Sequence, residues 1–306
     1  MRRGVWCVAL AAALLLCPAC RSPQRAVRIG SKNFTEQVIL GEIAAQALER
    51  AGERVERKLD LGGTFVCHRA MTAGELDLYP EYTGTAFTAI LTQKPIGDPA
   101  RVRDFVAREY ARRWKLVWSP PLGFENTFAL VMRSDQARDL QIERISDLAR
   151  YGDRIRPGFG YEFLERADGF PGLAAAYGLR FAARPAEMDL GLLYPALAQG
   201  KVDVVAGNST DGLIAAMRLA VLEDDRHYFP PYEAAFVVRD AVWREARVRN
   251  VFEKLGGAIS AAAMRRMNAA VDRDRRRPED VAREFVNGVV GLKSQVLSRE
   301  SQASGR

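Results

Sequence analysis

The chain has 306 residues, of which 48% are hydrophobic and 27% charged, and its formal net charge is +7. A chain of this length and apolar content can bury one or two full cores, which excludes a disordered or fibrous protein. The positive charges are dispersed apart from the run Arg273–Arg277, which is typical of a solvated loop before a helix, so no nucleic-acid-binding stripe is predicted.

The amino terminus has the pattern of a signal peptide. Arg2 and Arg3 precede an apolar stretch from Gly4 to Leu16, which is too short to span a bilayer. The cleavage region Cys17-Pro18-Ala19-Cys20 is similar to a bacterial lipobox, although Cys17 stands where leucine is usual. We expect a signal peptide over residues 1–19, lipidation at Cys20 and an anchor linker over 20–25. Cleavage without lipid and a redox Cys-x-x-Cys pair are the alternatives.

Apolar runs of strand length alternate with helix-periodic runs along the chain. In chain order, the pattern predicts strands at 26–29, 55–59, 76–78, 116–118, 127–132, 202–206 and 232–238. It predicts helices at 35–50, 65–72, 101–114, 190–199, 210–217, 241–255, 261–271 and 278–291. Glycines end the first two helices, and a proline begins the last. No segment after the signal peptide reaches membrane-spanning length.

This alternation predicts an α/β protein with mainly parallel sheets. At this length two lobes are expected, with proline-bearing breaks at 119–123 and 229–231 as the points where the chain crosses between them. The first lobe would then contain 26–121 plus 230–306, and the second 122–229. Cys67 is the only cysteine besides Cys20 outside the predicted signal peptide, so no structural disulfide is predicted.

Two short runs concentrate polar groups where a strand is predicted to pass into a helix. They are Gly30-Ser31-Lys32-Asn33-Phe34-Thr35 and Tyr79-Pro80-Glu81-Tyr82-Thr83-Gly84-Thr85. Free backbone N–H groups, hydroxyls and a lysine at such a turn can hold an anionic group. The tyrosines can face a cation. Together these side chains suit a small zwitterion.

A secreted enzyme is the rival class of protein, and Cys67-His68 is the pair that would support it. Adjacent residues on a helix point in directions about 100° apart, so these side chains are not expected to form a thiolate–imidazole dyad. The sequence shows no Ser/His/Asp set, no metal-spaced histidine cluster and no phosphate loop. We therefore predict neither a catalytic residue nor a metal or cofactor site.

The run GSKNFTEQVILGEI (30–43) resembles the opening of the glycine betaine/choline/carnitine-binding proteins of osmoprotectant ABC transporters. The resemblance continues through LDLYPEYTGTA (76–86), RADGFPGL (166–173), YPALAQGKVDVV (194–205), STDGLI (209–214) and VLEDDRHYFPPYEAAFVVR (221–239). These runs keep the family's order and spacing over nearly all of 27–290. The resemblance implies a bilobal periplasmic-binding-protein fold with a ligand cleft and hinge between two α/β lobes. It also implies permease and ATPase partners and an extracytoplasmic location.

Three positions match the family's residues for a ligand carboxylate. The resemblance implies that Lys32 pairs with the carboxylate, that Thr85 donates to it, and that Arg166 reaches it from the other lobe. A guanidinium fork fits a carboxylate bidentately. The alternatives are an exposed surface lysine, a helix-turn hydroxyl bonded to the backbone, and an ion pair of Arg166 with Glu162 or Glu165.

Four positions match the family's aromatic cage for a trimethylammonium group. Tyr82 and Tyr232 keep two walls, and Phe128 stands where a tyrosine is common. Asn208 stands where the resemblance leads us to expect an aromatic wall, and an amide has no π face. The cage therefore has at most three sides, which leaves room for a bulkier or less methylated ligand, such as carnitine or an ergothioneine-like betaine.

Other candidates have structural explanations. Tyr79, Tyr161 and Tyr194 are expected to pack or to line the rim of the cleft. Asp211 and Gly212 are expected to begin a helix, and Glu81 either orders its turn or meets a cationic ligand. A ligand-sensing protein that acts through a separate membrane receptor remains an alternative to transport.

Overall fold

The computed structural model describes residues 25–288. The expected signal peptide, Cys20 and nearly all of the anchor linker lie outside the described residues, as do residues 289–306. No helix in the described part is long and apolar enough to cross a membrane.

The strands are, in chain order, β1 (Val27–Gly30), β2 (Val55–Lys58), β3 (Leu78–Tyr82), β4 (Leu116–Trp118), β5 (Phe128–Arg133), β6 (Pro157–Phe159), β7 (Ala186–Glu187), β8 (Val204–Asn208), β9 (Leu219–Val221) and β10 (Ala234–Arg239). The helices are α1 (Thr35–Arg50), α2 (Thr64–Ala73), α3 (Thr83–Thr85), α4 (Pro99–Trp114), α5 (Ser134–Asp139), α6 (Tyr161–Glu165), α7 (Phe170–Tyr177), α8 (Leu193–Ala198), α9 (Gly212–Ala216), α10 (Asp240–Trp243), α11 (Ala246–Leu255) and α12 (Ala261–Asp272). A further helix, α13, covers 278–288.

The strands form two five-stranded sheets, and each sheet is the centre of one lobe. The first lobe has the strand order β2-β1-β3-β10-β4, and the second has β7-β6-β8-β5-β9. This bilobal α/β architecture confirms the predicted fold class. The chain passes from the first sheet to the second between β4 and β5, and returns between β9 and β10. Both crossings fall near the proline-bearing breaks, although the lobe boundaries themselves stay a prediction.

The expectation of mainly parallel sheets is wrong, because each sheet is mixed. β10 runs antiparallel to β3 and β4, and β5 runs antiparallel to β8 and β9. These antiparallel pairs result from the points at which the chain enters each lobe. β5 and β10 are the first strands after the chain changes lobe, so they start beside the cleft. β1, β3, β6 and β8 run toward the cleft and end there.

Most predicted elements are present, with small shifts at their ends. The tyrosine-containing run belongs to β3 rather than to the turn, since residues 78–82 pair with β10 and the helix begins only at Thr83. The single helix expected over 241–255 is two helices, α10 and α11, which are separated at Arg244 and Glu245.

Each sheet is packed on both faces, as the alternation of side chains along a strand requires. In β10, Phe236 and Val238 face a core with α1, α11 and α12, whereas Val237 faces the core of α2 and α4. In β8, Val204 faces one core of the second lobe and Val205 faces the core on the other side of the sheet. Each lobe thus has its own buried cores, and Phe128 and Phe229 pack against one core of each lobe.

Helix α12 joins the lobes behind the cleft by packing on α9. Gly212 lies so near α12 that a Cβ on it would overlap the backbone and Cβ of Ala269. Asn268 of α12 donates its amide to the Thr210 carbonyl at 2.9 Å. The close approach of these two helices depends on the absence of a side chain at position 212.

We predict that Gly212→Ala destabilises the protein by about 1–3 kcal/mol, the usual cost of overpacking. Gly191→Ala is the matched control, since a Cβ at Gly191 meets nothing within 4 Å. Urea denaturation of both variants measures the effect. Equal unfolding free energies for the two variants would contradict the tight α9–α12 contact.

Candidate functional site

A cavity of about 510 Å³ lies between the lobes, where the strand ends of both sheets meet. Every predicted ligand-binding residue lines it: Lys32, Tyr82, Thr85, Phe128, Arg166, Asn208 and Tyr232. Their positions follow from the strand directions. Lys32, Tyr82 and Asn208 lie at or just beyond the carboxyl ends of strands that run toward the cleft. Phe128 begins β5, and Tyr232 lies just before β10. The roles of these residues in binding a ligand stay predictions.

Lys32 is buried in the cavity wall rather than exposed on the surface. Its Nζ lies 2.5 Å from Oε1 of the fully buried Glu81 and 5.2 Å from the centre of the Tyr82 ring. Glu81 also accepts the Tyr82 backbone N–H at 2.8 Å and the Tyr79 hydroxyl at 3.2 Å. Glu81 therefore fixes the end of β3 and holds the lysine at the cavity.

Arg166 is also buried, and Asp168 is hydrogen-bonded to the Nε–Nη2 edge of its guanidinium. The Nε and Nη2 atoms donate to the two Asp168 carboxylate oxygens at 2.9 and 2.6 Å. Nη1 lies 3.9 Å from Glu162 Oε2, so the ion pair with Glu162, which was the alternative role for Arg166, is longer than the contact with Asp168. A ligand carboxylate can meet the guanidinium at Nη1, but a bidentate contact with the Nε–Nη2 edge would require Asp168 to leave.

The Arg166–Asp168 pair is tied to the first lobe. Asp168 accepts hydroxyl hydrogen bonds from Thr88 and Tyr232, both at 2.6 Å, and Arg166 Nη2 lies 3.4 Å from the Thr85 hydroxyl. Burial alone would raise the pKa of Asp168, but the Arg166 charge and these hydrogen bonds lower it below its usual value. The pair therefore stays ionised while it bridges the lobes.

The aromatic side chains line the cavity unevenly, and the buried cations Lys32 and Arg166 lie against two of the rings. The centre of the Phe128 ring lies 6.0 Å from that of Tyr232 and 4.8 Å from that of Phe163. The Arg166 guanidinium lies 5.1 Å from the centre of the Phe128 ring. Asn208 pairs directly with Phe128 across β5 and β8. Because opposite residues of an antiparallel pair share a face, the amide stands beside the ring at the cavity wall.

Glu36 of α1 anchors the back of the cleft. Its carboxylate accepts hydrogen bonds from Tyr82 (2.6 Å), Asn126 (2.8 Å), Thr210 (2.5 Å) and Asn268 (3.0 Å). Burial raises its pKa, although these four donors act in the opposite direction. Through this one carboxylate, α1 is tied to α12, to the end of β3, to the loop before β5 and to the loop after β8.

Sequence reasoning gave no role to Asp168, Glu36 or Glu162. Asp168 lies in the run RADGFPGL (166–173), and its position two residues after Arg166 is the only sequence feature that indicates an ion pair between them. Glu36 lies in the first turn of an otherwise apolar helix, where an acid is common without any function. Glu162 was considered only as a partner for Arg166.

Tyr79, Tyr161 and Tyr194 lie where they were expected, either packed inside a lobe or at the rim of the cleft. Tyr79 is fully buried in the first lobe, and Tyr194 is buried and donates to Asp211 at 2.6 Å. Tyr161 is 59% exposed at the cavity rim. Asp211 also accepts the Asn208 backbone N–H at 2.8 Å and precedes α9, as expected for a helix start.

The Cys67-His68 pair lacks the properties of a catalytic dyad. Burial raises the pKa of the Cys67 thiol to about 12 and lowers the pKa of His68 to about 4, so both groups are neutral near pH 7. The His68 ring packs edge-on against Trp114, with ring centres 4.4 Å apart. Within residues 25–288, no group of three or more His, Cys, Asp or Glu side chains could hold a metal ion.

Comparison with known proteins gives consistent matches over almost all of the described chain. Residues 25–288 match a family described as the substrate binding domain of ABC-type glycine betaine transport systems. A glycine-betaine-binding protein of Pseudomonas aeruginosa is 36% identical over 272 residues, which cover 85% of this chain and 86% of that protein.

Two further similarities bear on the fold and the ligand. A crystal structure titled as a glycine betaine/carnitine/choline ABC transporter has a TM-score of 0.70 and 31% identity, and the match covers 86% of this chain and 98% of that one. An ergothioneine transport permease/ergothioneine binding protein of Helicobacter pylori is 34% identical over 281 residues. That match covers 90% of this chain but only 50% of the longer relative.

We predict that Asp211 makes stability fall as the pH rises from about 4 to about 6. Burial raises its pKa from 3.8 to about 6, and the charges of Glu36 and Asp272 act in the same direction. The unfolded state therefore loses the proton first, and the unfolding free energy decreases through this window by up to about 3 kcal/mol. The difference in unfolding free energy between the wild type and Asp211→Asn isolates this effect. A difference that does not change with pH would refute it.

Proposed function

Because this chain belongs to the family of substrate-binding domains of ABC-type glycine betaine transport systems, we propose that its cleft captures a small quaternary-ammonium or related zwitterion by closure of the two lobes. The chain is the extracytoplasmic solute-binding component of an ABC importer. The observation that carries the proposal is the convergence of seven predicted residues from both lobes on one cavity, which has buried cations beside aromatic rings.

The anionic end of the ligand would be held by Lys32, Thr85 and Arg166. The two cations are already paired with Glu81 and Asp168, so the cavity offers oriented donors without a large net positive charge. Such a site favours a zwitterion over a simple anion. Lys32 and Arg166 can donate hydrogen bonds to the ligand carboxylate. Glu81 and Asp168 balance their two positive charges, so the cavity has little net charge to attract a simple anion.

The cationic end would meet Tyr82, Phe128 and Tyr232. A quaternary ammonium has no N–H to donate, so ring faces attract it by roughly 0.5–2 kcal/mol each. Asn208 leaves the fourth side without a ring. This opening favours a bulkier or hydrogen-bonding head group as the second candidate, and the ergothioneine-binding relative supports that alternative. Tyr161 and Phe65 at the rim would then face the extra bulk.

The remaining parts of the proposal concern partners and location. Permease and ATPase subunits would receive the ligand. A lipid at Cys20 would hold the protein at a membrane, and the mass of the mature amino-terminal peptide can test this.

We propose that the first lobe contains residues 26–121 plus 230–306 and the second contains 122–229. We also propose that the protein has no enzymatic activity, since the Cys67-His68 pair is neutral. A sensor acting through a separate receptor would bind ligand equally well, and only a transport assay separates that role from import.

A thermal-shift panel tests the ligand class. We expect glycine betaine, carnitine or ergothioneine to raise the melting temperature, because a ligand at one hundred times its Kd stabilises the folded state by about 2.7 kcal/mol. Choline, which lacks the carboxylate, and 3,3-dimethylbutanoate, which lacks the positive charge, should shift it less. If no zwitterion raises the melting temperature, or if 3,3-dimethylbutanoate matches glycine betaine, the proposed ligand class is wrong.

We predict that Asn208→Tyr tightens the binding of trimethylammonium ligands. A ring at this position should restore one cation–π contact of about 1 kcal/mol, or roughly fivefold in Kd. Calorimetric titration with glycine betaine measures the change. Asn208→Leu is the control, since it adds apolar area without a π face. Equal gains for tyrosine and leucine, or weaker binding with intact folding, would show that Asn208 does not stand at the missing wall.

A further inference from the structure

Glu162 of α6 joins the second lobe to the first at the mouth of the cleft. Its Oε1 accepts the Thr64 backbone N–H at 2.5 Å, and its Oε2 accepts the Thr64 hydroxyl at 3.0 Å. Thr64 begins α2, which packs into the first lobe through Cys67 and Met71. Phe163, next to Glu162, is buried in the core of the second lobe. One carboxylate therefore makes two hydrogen bonds across the cleft.

The start of α2 is built to receive this carboxylate. Its N-cap residue is Gly63, which has no side chain to accept a helix N–H, and its first turn contains no acid. A Cβ at Gly63 would overlap the Glu162 carboxylate. The first N–H groups of a helix lack partners within the helix and carry partial positive charge. The glycine leaves this end open, and the other lobe supplies the anion that caps it.

We propose that Glu162 is a closure latch that slows the opening of the cleft and so holds the ligand inside. Opening would remove the cap from α2 and break both hydrogen bonds to a charged acceptor at once. A ligand enclosed between the lobes leaves only from the open state, so its dissociation rate follows the cost of opening. The inference rests on the proposed function for the ligand, but the effect on closure does not require one.

The position of Glu162 distinguishes it from the residues assigned to the ligand itself. Its side chain is 27% exposed at the rim, whereas the neighbouring Arg166 side chain is 4% exposed. Its carboxylate is directed at Thr64 in the opposite lobe, and Arg166 Nη1 is 3.9 Å away. Glu162 is thus a positioning residue, and its loss should change the release of ligand more than its capture.

Glu162→Gln tests the latch, because it keeps the size of the side chain and removes the charge. Glu165→Gln is the matched control, an exposed acid on the same helix. Small-angle X-ray scattering of both purified proteins without ligand should show a larger radius of gyration for Glu162→Gln only. Stopped-flow kinetics with glycine betaine should show dissociation on the order of tenfold faster, with association within about twofold.

A double-mutant cycle with Thr64→Val ties the effect to the contact across the cleft. Thr64→Val removes the hydroxyl donor, so its effect and that of Glu162→Gln should be less than additive. An unchanged radius of gyration, additive effects, or a change in association alone would overturn the latch. If glycine betaine does not bind, the scattering comparison still decides the latch, and the failed panel counts separately against the proposed ligand class.

Discussion

A buried ion pair between Arg166 and Asp168 determines how the two lobes meet. Removing both charges from water is costly, and such a pair is tolerated only when hydrogen bonds satisfy its remaining donors and acceptors. Here most of those partners belong to the other lobe: the hydroxyls of Thr88, Tyr232 and Thr85. Asp168 keeps all of these hydrogen bonds only while the lobes are together, so the interaction that holds Arg166 in the cavity wall also favours closure.

The direction of the strands turns this contact into a binding site. Eight of the ten described strands share the direction toward the cleft, and the two strands that follow the crossings run away from it. Each sheet therefore presents turns, loop amides and short polar side chains along one edge. Behind that edge, the Glu36 carboxylate accepts hydrogen bonds from four neutral donors and ties Tyr82 of β3 and Asn268 of α12 to the loops that contain Asn126 and Thr210. Because each sheet is packed on both faces, motion between the lobes would be confined to the two crossings, between β4 and β5 and between β9 and β10.

The sequence predicted the elements with strong periodicity, such as α1 and α4, to within two residues, and the family resemblance pointed to seven of the residues that line the cavity. It did not predict that the sheets are mixed, because strand direction depends on where the crossing chain enters a lobe. The division between α10 and α11 was also missed, since both halves fit one helical period. Asp168 and Glu162 were missed as partners because ion pairing and capping across a cleft depend on contacts between distant segments. A family resemblance points to candidate ligand residues but does not show which side chains pair with their buried charges.

The central claim is that a zwitterion lies between the lobes with its carboxylate toward Lys32, Thr85 and Arg166 and its cationic head toward Tyr82, Phe128 and Tyr232. A crystal structure of the protein with the zwitterion that gives the largest thermal shift tests this most directly. We expect the carboxylate within hydrogen-bonding distance of Lys32 Nζ and Arg166 Nη1, with the Arg166–Asp168 pair intact. A ligand bound outside the cleft, or one with its ends reversed, would contradict the claim.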